Sequence, residues 1–124
     1  MRMSAFCCGW LMGLVAGGAM AQDMLSAAEL ATYLEGRTYA GSNPETGDLV
    51  GTVTYHPEGT STLVMADGTV QEGTYRLEGN AYCTRYAAFR DSSENCFTLE
   101  PLGDGRTQAY YTDGRMALIL TPVE

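Results

Sequence analysis

Two cysteines, Cys83 and Cys96, stand near the centres of two alternating segments separated by a polar loop. An antiparallel pairing that sets them opposite each other also sets Tyr82 opposite Phe97 on the other face. Cross-strand aromatic pairs contribute roughly 0.2–1 kcal/mol, so one register is favoured twice. The stretch 73–99 therefore reads as a stapled hairpin from which the rest of the fold is built, with residues 89–94, including Arg90 and Asp91, looping across its end.

The pairing depends on compartment. Arg2 precedes an uncharged apolar run over 6–18, and Ala19-Met20-Ala21 then offers small residues at the positions a signal peptidase reads. Residues 1–21 are thus expected to be a signal peptide, with Gln22 as the first mature residue. The apolar run falls short of the roughly 20 residues of a membrane span, so no stable membrane anchor is expected after processing. Cys7 and Cys8 stand at the start of the apolar run with most of it after them, the reverse of a lipoprotein signal, and leave with the leader. Two cysteines in an exported chain favour a disulfide, and the expected location is periplasmic or secreted.

Seven arginines, no lysine and fifteen acids give a net charge of −8 with the single His56 neutral. Nucleic acid and anionic lipid both require a basic surface, so neither is an expected partner. A basic protein or a cation is compatible with the charge, which also serves solubility, and the expected partner is an unidentified protein or small molecule. Residues 22–124 are the right length for one domain.

Along that domain, Ser26-Ala27-Ala28-Glu29 is a capping box that opens a helix over 27–35, with Leu25 placed to staple against Leu30 and Gly36 to end it. Leu30, Tyr33 and Leu34 share one face. So short a helix is unstable alone and must dock.

After Gly36 the texture changes to short alternating runs broken by turn signals. Strands are expected over 37–41, 49–55, 60–66, 70–78 with a bulge at Gly73, and 81–87; after the second cysteine's segment, a turn over 102–105 leads to a last hairpin. Asn43-Pro44 breaks the loop over 42–47, and residues 56–59 and Gly79-Asn80 turn the chain. Asp67-Gly68 and Asp113-Gly114 read as two-residue hairpin turns, the latter setting Tyr111 opposite Met116, Ala109 opposite Leu118 and Thr107 opposite Leu120. That hairpin is apolar on both faces, which calls for a covering helix or a curled sheet with an interior. The expected fold is mainly β: a curved antiparallel meander of seven or eight strands, a half-barrel or small barrel, with one N-terminal α-helix and one disulfide.

Ser26 to Gly36, Tyr55 to Thr60, Gly73-Thr74-Tyr75, Cys83 and Cys96 together resemble a group of small exported Gram-negative proteins of uncharacterised function. In these a Leu/Ala-rich helix is followed by Tyr-x-x-Asp/Glu-Gly-Thr, Gly-Thr-Trp/Tyr and two cysteines. Tyr75 stands where tryptophan is usual. The resemblance implies a disulfide-bonded antiparallel meander and no particular reaction.

The residues offer no catalytic constellation. His56 lies in a turn without a second His or a Cys-x-x-Cys, so metal ligation and general-base catalysis lack partners. Ser61, Ser92 and Ser93 have no evident base, and Asp67, Asp104 and Asp113, each before glycine, lack the spacing of a calcium loop. No cofactor, metal or catalytic residue is expected, and the chain is not expected to be an enzyme. Its eight tyrosines suit either a small core or a concavity lined for a ligand. The expectation is a non-catalytic binding or interaction module of the periplasm, with Tyr75, Tyr82, Arg85 and Tyr86 as contact residues. The alternatives are a carrier holding a small apolar ligand inside a curled sheet, and an inhibitor of a basic secreted hydrolase such as lysozyme. The last rests on size, charge and the single disulfide.

Overall fold

Eight antiparallel strands, each hydrogen-bonded to the next in sequence, close into a barrel in a computed structural model that describes residues 23–87 and 92–123. The leader expected over 1–21, Cys7, Cys8 and the loop residues Phe89, Arg90 and Asp91 lie outside the described residues. The strands are β1 (Arg37–Ser42), β2 (Leu49–Tyr55), β3 (Thr60–Met65), β4 (Val70–Glu78), β5 (Ala81–Tyr86), β6 (Asn95–Gly103), β7 (Arg106–Tyr111) and β8 (Met116–Pro122). β8 returns beside β1, where Gly41 meets Leu120 and Ala40 meets Thr121. Closure consumes both sheet edges, so neither is left as a template for another chain.

Among the described residues one helix precedes the barrel, α1 (Ala27–Leu34). Its capping box is complete: the Glu29 amide donates to Ser26 Oγ, and the Ser26 amide donates to Glu29 Oε1 at 2.8 Å. The chain on either side is tied to the barrel backbone, with the Leu25 amide on the Leu99 carbonyl at 2.8 Å and the Gly36 amide on the Tyr55 carbonyl at 2.7 Å. Leu30 and Leu34 are fully buried, among Tyr39, Tyr55, Tyr82 and Leu99. The helix thus lies across the barrel end where β1 begins and β8 finishes, and Leu25 packs against the same cluster.

The central register is the one the sequence favours. Cys83 pairs with Cys96 in a disulfide and Tyr82 pairs with Phe97, their rings 5.5 Å apart inside the barrel. On the outer face the disulfide is roofed by Arg76, whose guanidinium grips Glu94 through Nε and Nη2 at 2.9 and 3.0 Å.

The hairpin expectations need correction. At Asp67-Gly68 the Met65 amide donates to the Thr69 carbonyl, and at Asp113-Gly114 the Tyr111 amide donates to the Arg115 carbonyl, at 2.7 and 2.8 Å. Each loop therefore has three residues, the third a glycine at φ +93° or +95°, the type I turn followed by a left-handed residue. The carboxylates of Asp67 and Asp113 hold it by accepting from the amides two residues on. The extra residue moves the offset by one, so Tyr110, not Tyr111, lies opposite Met116. A bulge then restores the expected pairing of Thr107 with Leu120. Gln108 sits buried beside this bulge, and its Nε2 donates to the Ala109 carbonyl at 2.8 Å and faces those of Ala117 and Leu118.

The expected bulge at Gly73 is also absent, since both of β4's ladders run through it in continuous register. The glycine has a packing reason instead. Ser61, Gly73 and Tyr86 are neighbours across three strands. A Cβ on Gly73 would fall 2.4 Å from Tyr86 Cδ1 and 2.4 Å from the Arg85 carbonyl oxygen. The Tyr86 ring lies over the bare backbone and reaches Ser61, whose Oγ donates to Tyr86 Oη at 3.1 Å. Gly73→Ala is expected to destabilise the fold by ~1–3 kcal/mol through overpacking, with a further contribution of ~1 kcal/mol if the Ser61–Tyr86 bond is lost. Urea denaturation measures this. An unmoved midpoint would show that the ring does not need the gap.

Candidate functional site

The barrel interior is not filled to both ends. From the α1 end a file of rings runs through it: Tyr33 stacks on Tyr39 at 4.5 Å, and Tyr55 meets Tyr75 and Tyr82 edge-on at 5.1 and 5.7 Å. Phe97 and Tyr111 continue it at 5.0 Å toward the opposite end. Above Tyr55 and Tyr82 the core gives way to a cavity of about 390 Å³, within the range of small-molecule sites. Its mouth lies at the end away from α1, beside the loop carrying Asn43, Pro44 and Glu45.

Three local features shape its wall and mouth. Gly41 and Gly51 pair directly across β1 and β2 on the inner face and line the cavity without side chains. Ala109 is a second small position on the wall, opposite the bulge of β8, where both Ala117 and Leu118 reach the lining. The mouth loop is held by Asn43, whose Oδ1 accepts from the Glu45 and Thr46 amides at 2.8 and 3.2 Å.

The lining is aromatic and aliphatic with a few hydroxyls, and among the described residues Glu45 at the mouth is its one charged member. At the floor Tyr55 Oη donates to Tyr82 Oη at 3.5 Å. Burial pushes both phenols well above their ordinary range, so near neutral pH they act as uncharged donors and acceptors. The same burial raises Tyr33 and Tyr39. An unfolded tyrosine ionises near pH 10, whereas these hold their protons in the fold. Their contribution to stability is whole below about pH 10 and declines as pH rises above it. Alkaline titration followed by tyrosinate absorbance should therefore show the buried phenols ionising together with loss of far-UV signal. A smooth titration of all tyrosines near pH 10 with the fold intact would contradict their burial.

Of the expected contact residues, Tyr82 and Tyr86 line the cavity, and Tyr75 is buried on the same inner face nearer α1, with its Oη donating to the His56 carbonyl at 2.8 Å. Arg85 points outward and donates to the Ser92 carbonyl. The four do not share one surface. Sequence reasoning missed Phe97, Tyr111, Leu63 and the Gly41–Gly51 pair as lining. Their signal was alternation, because each occupies the inward phase of its strand.

The remaining candidates carry little chemistry. His56 Nε2 lies 3.0 Å from Thr62 Oγ1, which donates to Glu72 on the outer wall. The sulfurs of Cys83 and Cys96 approach a Glu94 carboxylate oxygen within 4.8 Å. Thiolate is the metal-binding form of cysteine, and the disulfide removes it. No family model, curated protein or solved structure matches this chain.

Proposed function

We infer that this chain is a non-catalytic exported binding protein that carries a small apolar molecule inside its barrel. The observation behind this reading is the cavity: about 390 Å³, aromatic-walled, floored by Tyr55 and Tyr82 and open at one end. A protein partner recognised by a Tyr/Arg patch is less well supported, because Tyr75, Tyr82 and Tyr86 face inward.

The neutral dye N-phenyl-1-naphthylamine tests the reading. Its fluorescence should rise saturably with one site per chain. Leu63→Trp and Ala117→Trp, each made separately to fill the cavity from a different wall, should abolish the rise while near-UV circular dichroism still reports a folded barrel. Binding that survives in both folded variants would place the dye elsewhere and remove the support for a carrier.

A further inference from the structure

The floor of the cavity specifies what it holds. Resting on the carrier reading, we propose that the ligand is a neutral, planar aromatic molecule that enters with a hydrogen-bond acceptor leading, such as an aryl ketone, and that carboxylate-bearing amphiphiles are excluded.

Tyr55 and Tyr82 bring two hydroxyl protons to the floor, and their mutual bond uses one. The other is Tyr82's, which meets no acceptor among the described residues, although Tyr82 is only 3% exposed and borders the cavity. A buried donor left unmade is costly, so a ligand that brings an acceptor to this point gains more than an ordinary exposed hydrogen bond returns.

Shape and charge narrow the class further. Tyr82, Tyr86, Phe97 and Tyr111 present ring faces and edges from three neighbouring strands, and Tyr55 meets Tyr82 from β2. These suit offset or edge-to-face contact with another ring. An anion finds no counter-charge among the described lining residues. Glu45 stands at the mouth, and Arg115, over the Tyr111 ring at 4.4 Å, is already paired with Asp113 at 2.8 Å. A carboxylate would lose its hydration without a counter-charge.

Three probes of nearly equal size separate the possibilities, measured by calorimetry on the full chain. 2-Acetylnaphthalene should bind one per chain. 2-Ethylnaphthalene, which lacks the acceptor, should bind about three- to tenfold more weakly, the fold-change of one hydrogen bond. 2-Naphthoate at neutral pH should bind on the order of 100-fold more weakly, as an unpaired buried charge requires. The double variant Tyr55→Phe/Tyr82→Phe keeps the rings and removes both hydroxyls, so it should bind the acetyl and ethyl compounds alike. If the ethyl compound binds as well as the acetyl in the wild-type chain, the acceptor assignment fails while the carrier reading stands. Naphthoate binding as tightly as the ketone overturns the neutral assignment in the same way. If none of the three binds, this proposal and the carrier reading fall together.

Discussion

Leu30→Ala and Leu34→Ala should each destabilise the protein by ~2–5 kcal/mol, the cost of emptying a fully buried leucine site. Both side chains have no exposed surface and meet the aromatic floor from below. The eight-residue helix cannot stand alone, so what these leucines lose is its anchorage as well as their own contacts. A domain of this size holds ~5–15 kcal/mol in all, which puts the double variant near the limit of folding. Thr32, exposed on the opposite side of α1, is the control: Thr32→Ala should stay within ~0.5 kcal/mol. Urea midpoints at unchanged slope read the difference. If the leucine variants unfold where the wild type does, α1 does not carry the barrel end.

The helix was legible because its signals are local. A capping box, a glycine stop and three apolar residues at helical spacing require no knowledge of the rest of the chain, and α1 ends one residue short of the expected 35. The strands were legible for the same reason, through alternation, and β2 runs over the expected residues 49–55. Closure was another matter. Whether eight strands curl far enough for β8 to reach β1 depends on accumulated twist and stagger, to which no single residue testifies. A hairpin apolar on both faces pointed to an interior without showing that it shuts.

The cavity was hidden by a similar non-locality. Tyr82 and Tyr86 stood out as tyrosines, yet in a sequence the same residue marks a core or a ligand wall. The distinction comes from what faces it across the barrel. Gly41 and Gly51, ten residues apart, form one bare patch of wall only because β1 and β2 set them side by side, where Leu118 and Leu63 close over them. Gly73 looked like a bulge because a glycine in a strand often is one. Its actual role depends on a tyrosine ring thirteen positions away. Turn length failed differently: Asp-Gly suits both two- and three-residue hairpins, and the choice here moved Tyr110 into the place expected for Tyr111.

Loss of the disulfide in the Cys83→Ala/Cys96→Ala variant should lower stability by ~3 kcal/mol, the denatured-state entropy released when a loop of this length is no longer closed. The two cysteines are 13 positions apart and join neighbouring strands already held by ladder bonds and by the Tyr82–Phe97 contact. The native state therefore keeps its register without the bond, and the variant should fold. At about 4–8 °C per kcal/mol for a domain of this size, its Tm should fall by roughly 12 °C or more. The Arg76–Glu94 fork above the sulfurs makes a useful contrast. Arg76 is half exposed, at 52% of its side chain, so Arg76→Ala should cost far less than loss of the disulfide, since solvent screens an exposed ion pair. Arg76 also holds the Glu94 carboxyl below its ordinary range, so the pair's contribution is present at neutral pH and fades as pH falls through that lowered value. Because the disulfide lies on the outer face and the cavity on the inner, naphthylamine binding should persist in the double alanine variant below its melting point. A variant that melts within a degree or two of the wild type would show that the bond constrains little. One that folds but no longer binds the dye would show that the hydrogen bonds and rings alone do not hold the Tyr82–Phe97 wall in register.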